Sequence, residues 1–216
     1  MAIVDTAGDE TVTGRSGAGQ DPRKRRQILD GAYRMFMAQG FDAASMSDIA
    51  REAGVSKGTL YVYFDSKEAL FSALINETRR KTAERLLAFE SDGRAVEEVL
   101  EEFGKALIAK LTSPENIALL RMVIGASERF PEVAQDFYRA GPAHGANRLS
   151  AYLTSEVARG RLSIEDTDAA AWQFLGMCNH PVLIGTLASF DPPDAERTEK
   201  IARAAVRTFM AAYGPA

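Results

Sequence analysis

The chain has 216 residues, of which 46% are apolar and 26% charged, a composition of one large or two small globular units that excludes a wholly disordered, collagen-like or coiled-coil protein. Its net charge of −4 excludes a uniformly basic chain that coats nucleic acid without selectivity. The longest nearly apolar run, Pro181 to Phe190, is about half of the roughly 20 residues a membrane span needs, so no membrane partner is expected.

Residues 1–20 are rich in Gly, Thr, Ser and Asp with no apolar period, and are expected to form a disordered tail with no export signal. That, with the lone Cys178 read as a small buried hydrophobe, makes the cytoplasm the expected compartment. From residue 21 onward the pattern is helical. Ile28, Ala32, Met35 and Phe36 form one stripe of a first helix expected over Pro22–Gln39, with Gly40 ending it. Four consecutive bases, Arg23, Lys24, Arg25 and Arg26, stand at its entrance, although residues 21–70 as a whole hold eight bases against seven acids. They predict a local basic edge and not a basic domain.

Ser45 has the N-cap role for a short second helix, with Asp48 three residues on and Met46, Ile49, Ala50 and Ala53 on its apolar face. Gly54 stops it, Val55 points inward, and Ser56 caps a third helix expected over Lys57–Phe64 with Leu60 and Phe64 buried. A fourth begins at Lys67 behind an Asp65–Ser66 cap, with Leu70, Phe71 and Leu74 continuing toward Leu86 and Leu87. Further helices are expected over Ala95–Leu111, Pro114–Glu128, Pro131–Arg159, Asp166–Ser189 and Pro193–Tyr213. No stretch alternates as a strand does, so the fold is all-α: a helix-turn-helix domain over residues 21–70 and a helical domain over 71–216.

Two short helices joined by a tight glycine-containing turn can lay the second in a DNA major groove. On that second helix Lys57 can donate to guanine, Gly58 permits close backbone approach, and Thr59 and Tyr61 can meet base edges. Tyr63 and Lys67, with the helix start capped by Ser45, are placed to hold phosphates, and Arg23 and Lys24 to add contacts along the backbone or in the minor groove.

Val55-Ser56-Lys57-Gly58-Thr59-Leu60-Tyr61-Val62-Tyr63-Phe64 followed by Asp65-Ser66-Lys67-Glu68-Ala69-Leu70 closely resembles the DNA-binding signature of the TetR family of bacterial transcriptional regulators. Ile28-Leu29-Asp30-Gly31-Ala32 through Phe36, Gly40-Phe41 and Ser47-Asp48-Ile49-Ala50-Arg51-Glu52-Ala53-Gly54 are similar to its first two helices, so the likeness covers roughly residues 24–71. Val62 departs from it, standing where many relatives carry a residue able to reach the backbone. Glu128-Arg129-Phe130-Pro131-Glu132 with Phe137-Tyr138 and Gly141-Pro142 resembles, more loosely, the AefR-like subgroup. The resemblance implies a homodimeric repressor that leaves a palindromic double-stranded operator when a small hydrophobic effector binds its C-terminal domain. Phe103, Leu107, Met122, Phe137 and Trp172 are the candidate pocket wall.

The competing reading is a small-molecule carrier or enzyme whose N-terminal helices are structural. Against catalysis, no phosphate loop, HExxH or GxSxG motif occurs. Cys178 and His180, two apart on a helix, diverge by about 200° and cannot share a metal. His144 is expected to face solvent, and Glu97, Glu98, Glu101 and Glu102 read as a solvated face. No cofactor, metal or catalytic residue is expected. On the last two helices, Ala169, Trp172, Leu175, Gly176, Asn179, Leu183 and Thr186, with Ile201, Ala205, Thr208, Phe209 and Ala212, form stripes that either pair two copies or fill the chain's own core. Pro181 is expected to kink the first of these helices.

Overall fold

The computed structural model describes residues 21–86 and 93–215; the expected tail and Leu87 lie outside them. The described residues are helical and contain no strand. In order they form α1 (Pro22–Ala43), α2 (Met46–Glu52), α3 (Lys57–Tyr63), α4 (Lys67–Leu86), α5 (Val96–Leu111), α6 (Pro114–Ala126), α7 (Pro131–Tyr138), a π-helical turn (Arg139–Ala143), α8 (His144–Ala158), α9 (Thr167–Leu187) and α10 (Ala195–Tyr213).

Local chemistry sets most of these ends. Asp21, Ser45, Ser56, Ser113, Asp166 and Asp194 each accept an N–H of the first turn they precede, filling groups the helix leaves open. Gly40 does break α1, at φ 80 and ψ 169, but it does not end it: a further turn over Phe41–Ala43 follows. The single helix expected over Pro131–Arg159 is three pieces, because Gly141 and Pro142 open the ladder into the π-helical turn. α9 runs without interruption across Pro181.

Two hydrophobic cores result, and their boundary is not at residue 70. The first gathers Ile28, Leu29, Phe36, Phe41, Ile49, Leu60, Phe64, Leu70 and Phe71 together with Leu119, Val123, Ala126, Val133 and Phe137 from α6 and α7. The second holds α5, α8, α9 and α10 around Phe103, Phe174, Cys178, Val206 and Phe209. The N-terminal helices therefore share one hydrophobic interior with α6 and α7. Phe36, Phe41 and Phe71 meet mostly edge to face, and Phe41 reaches on to Phe130 at 5.1 Å, an arrangement of rings that adds to simple burial.

In the second core one carboxylate, Glu156, is fully buried between Arg159 and Arg161, and Arg161 also donates to the Arg94 carbonyl. That ties the start of α5 to the end of α8. Cys178 is buried, as expected, and burial pushes its thiol up to about 12. Tyr152 is raised to about 12 as well, first by burial and then by the charge of Glu156.

Candidate nucleic-acid interface

The second short helix is presented by what lies beneath it. Gly54 takes φ +64, the left-handed conformation that closes the three-residue turn. Gln27 on α1 donates to the Ala53 carbonyl at 2.6 Å, and Arg34 pairs with Glu52, so α1 holds the turn from two sides. Gly31 allows this approach: a Cβ there would stand 2.6 Å from the Ala53 Cβ and 2.7 Å from its Cα. Gln27 and Gly31 are the positioning residues that motif reading passed over. A glycine in the middle of a helix, within the apolar stripe of Ile28, Ala32 and Met35 where it costs stability, was the available signal.

On the outer face of α3, Lys57, Gly58 and Tyr61 are exposed, and the Lys57 ammonium sits 6.0 Å from the Tyr61 ring centroid. A Cβ at Gly58 would meet no backbone of the packed chain, so the open side of α3 is a smooth surface at that point. Val62 is 56% exposed and adds an apolar element to the same face. Thr59 is half-buried, and its hydroxyl lies 2.8 Å from that of Ser56, which also accepts the Thr59 N–H. This fixes the Thr59 rotamer and engages the hydroxyl expected at a base edge.

The expected phosphate holders divide. Tyr63 is half-buried against the first core. The Ser45 hydroxyl accepts the Asp48 N–H and donates to the Asp48 carboxylate, which also pairs with Arg51; the Ser45 bond first, then Arg51, holds the Asp48 carboxyl below its usual range. Lys67 donates to the Phe41 and Asp42 carbonyls at 2.7 and 3.1 Å, with its ammonium 4.5 Å from the Phe41 ring centroid. Its charge answers the carbonyl end of the turn after Gly40 and locks α4 to that corner. Of the basic run, Arg23 is exposed, Lys24 donates to Gln27, and Arg25 and Arg26 lean toward Glu77 on α4. Arg25 also lies over the Phe64 ring.

The five candidate pocket residues are not brought together. Phe137 and Met122 belong to the first core, Phe103 and Leu107 to the second, and Trp172 lies on the surface. The parity of apolar spacing places residues on a face of a helix but not in one core or the other. Trp172 and Tyr138 stack on each other, with the rings 3° from parallel. His144 is exposed, as expected, and so is His180. Of the stripes on α9 and α10, Thr186, Ala205 and Phe209 are spent on the chain's own interior, and Ala169, Gly176, Thr208 and Ala212 stay exposed. Among the described residues no group of three His, Cys, Asp or Glu side chains could hold a metal, and no helix is long and apolar enough to cross a membrane.

Two short helices locked at a glycine turn, the second turned outward with a lysine and a tyrosine on its open side, define a helix-turn-helix protein. The profile of the tetR family of bacterial regulatory proteins matches residues 28–74, and that of the AefR-like transcriptional repressor C-terminal domain matches residues 98–215, more than half of the chain. The chain belongs to the TetR family, with an AefR-like C-terminal domain. It is similar to the HTH-type transcriptional regulator YuxN of Bacillus subtilis (strain 168), at 37% identity over 70 residues; the match covers 32% of this chain and 24% of that protein's length. Among solved structures, a TetR-family transcriptional regulator from Mesorhizobium loti MAFF303099 superposes with a TM-score of 0.82 at 28% identity, covering 89% of this chain and 97% of the other. The Flavonoid-responsive Regulator FrrA does so with a TM-score of 0.80 at 32% identity, over 90% and 99%.

Proposed function

We propose that this chain is a cytoplasmic, homodimeric transcriptional repressor that reads a near-palindromic duplex operator and releases it when a small hydrophobic effector binds, without catalysis. The observation that carries this reading is the outward face of α3, where Lys57, Gly58 and Tyr61 are free of the core while Leu60 behind them is wholly buried. Lys57 reads a base, Tyr61 offers ring and hydroxyl beside it, and Tyr63 and the starts of α2 and α1, with Arg23 and Lys24, follow the phosphates. Lys67 acts as a positioning residue that sets the angle between the α1 corner and α4.

Two copies pair through the exposed small-residue faces of α9 and α10, Ala169 and Gly176 beside Thr208 and Ala212. Small side chains let helix axes approach closely. A two-fold pair presents its recognition helices to successive major grooves about 34–36 Å apart. A coupling of about 1–3 kcal/mol between effector and operator sites is enough for a 5- to 150-fold change in operator affinity. FrrA answers flavonoids, and a flat aromatic effector is the class proposed for this chain.

Selection of bound fragments from a random duplex pool, followed by titration at two salt concentrations, tests the reading. Lys57→Ala should cost about 1–3 kcal/mol and relax preference at one base pair per half-site. An equal loss on every sequence would remove Lys57 from the base contacts, and no binding to any duplex in dilute buffer would return the chain to the carrier or enzyme reading.

A further inference from the structure

α3 carries one aliphatic side chain that the chain's own packing does not use. Val62 is 56% exposed, whereas Leu60, two residues before it, is wholly buried and Phe64, two residues after it, is buried as well. Successive residues of an α-helix turn by about 100°, so Val62 stands about 200° round from Leu60, almost opposite the packed side. Gly58, one turn back on the same outward line, has no side chain, and the space over it is open: a Cβ there would stand 3.8 Å from the Ser56 Oγ, in ordinary contact. Lys57 and Tyr61 lie together roughly a quarter turn away, the ammonium 6.0 Å from the ring centroid. The polar and the apolar sides of the exposed surface of α3 are therefore separate, and Val62 with the bare backbone at Gly58 makes up the apolar one.

We infer that Val62 is a specificity-determining residue, which selects thymine at one position of each operator half-site by apolar contact with the thymine C5 methyl group. The inference rests on the proposed entry of α3 into the major groove, and it names a base that this helix requires there. A duplex offers an outward side chain two kinds of surface. Phosphate is charged and hydrated; valine has no donor to give it, so that contact would strip water without replacing the lost bonds. The groove floor carries one projecting apolar group, the C5 methyl of thymine, which cytosine lacks. Removing that methyl and the exposed valine from water together is favourable. Val62 is β-branched and stiff at χ1 on a helix, so it loses little freedom when it meets the base. Gly58 beside it lets the backbone come close enough for so short a side chain to reach the groove floor.

The test uses the full chain and an operator duplex selected from a random pool. Each thymine of one half-site is replaced in turn by uracil, which removes the C5 methyl and keeps the pairing with adenine, and the affinity of every duplex is measured for the wild type and for Val62→Ala. One such replacement should weaken the wild type roughly fourfold, the scale of one methyl group returned to water. Val62→Ala, whose side chain is too short to reach the base, should bind the thymine operator at least as weakly and lose most of its response to uracil at that position. Val62 is exposed, so the variant should fold, and the uracil series on the wild type needs no variant at all. A wild type indifferent to every uracil, a loss equally large in Val62→Ala, or an operator without thymine in its half-sites overturns the assignment of Val62 and leaves the operator reading in place. Failure to bind any duplex in dilute buffer overturns both.

Discussion

The two cores differ in what they mix. The second is built from α5, α8–α10 and Leu162 and Ile164 of the α8–α9 connection, closed around Phe174 with Phe103 at 6.2 Å and Phe209 at 5.5 Å, and sealed by the buried Glu156 and its arginines. The first crosses the domain boundary drawn at residue 70: Phe41 of the helix-turn-helix end packs on Phe130, and Leu119, Val123, Val133 and Phe137 complete its interior. The mechanical division of the molecule thus runs between α6–α7 and the proposed dimer helices. α6 touches both sides, since Arg121 donates to the Thr186 and Leu187 carbonyls at the end of α9. α7 packs on α4 and α6, so Val133 and Phe137 form part of the interior beneath the helix-turn-helix end.

Cutting the second core at its centre is the harshest way to break this contrast. Phe174→Ala should remove about 3–5 kcal/mol of stability. If the cores are distinct cooperative units, urea unfolding should then separate into two steps, with the fluorescence of Trp172, the only tryptophan, changing before the helical signal is lost. One coincident transition by both probes would mean a single unit.

Gly31→Ala attacks the other side. Its Cβ meets backbone and not a flexible side-chain end, so the α1–turn contact must open, at about 1–3 kcal/mol. Operator affinity should fall while the early Trp172 transition stays in place; an unchanged protein would mean that the turn can shift freely.

Alkaline pH sharpens the contrast from the chemistry of Cys178. In the unfolded chain its thiol ionises near its ordinary value of 9.0, whereas burial holds it neutral up to about 12. Stability should be level below that ordinary value and fall as pH rises from about 9 toward about 12, because only the unfolded state loses the proton. Cys178→Ala should flatten the slope in urea midpoints taken at about pH 8 and about pH 10.5, leaving the part due to Tyr152.

The smallest effect belongs to Arg129→Ala. Its 3.8 Å pair with Asp42 is largely exposed, so about 0–1 kcal/mol is expected. A larger loss in operator affinity would place the link between α6–α7 and the α1 corner in this ion pair instead of in the Phe41–Phe130 rings.

The candidate interface was largely legible because its determinants are local. Caps at Ser45 and Ser56, the glycine of the turn, and the buried pair Leu60 and Phe64 lie within twenty or so residues, and each acts on its own few neighbours. Lys67 shows where that stops: its type led to an expected phosphate contact, while the carbonyls to which it also donates come from a turn whose proximity depends on how α1 meets α4.

Helix order, the all-α class and the outward side of α3 were therefore determined by amino-acid pattern alone, since capping and periodicity act over one or two turns. Which apolar stripe closed which core, how Trp172 came to lie against Tyr138, and why the reading head is built on α6 and α7 were decided only by tertiary packing. Burial rewards any sufficiently apolar surface, and the choice among partners is made by shape and by charges far apart in the chain.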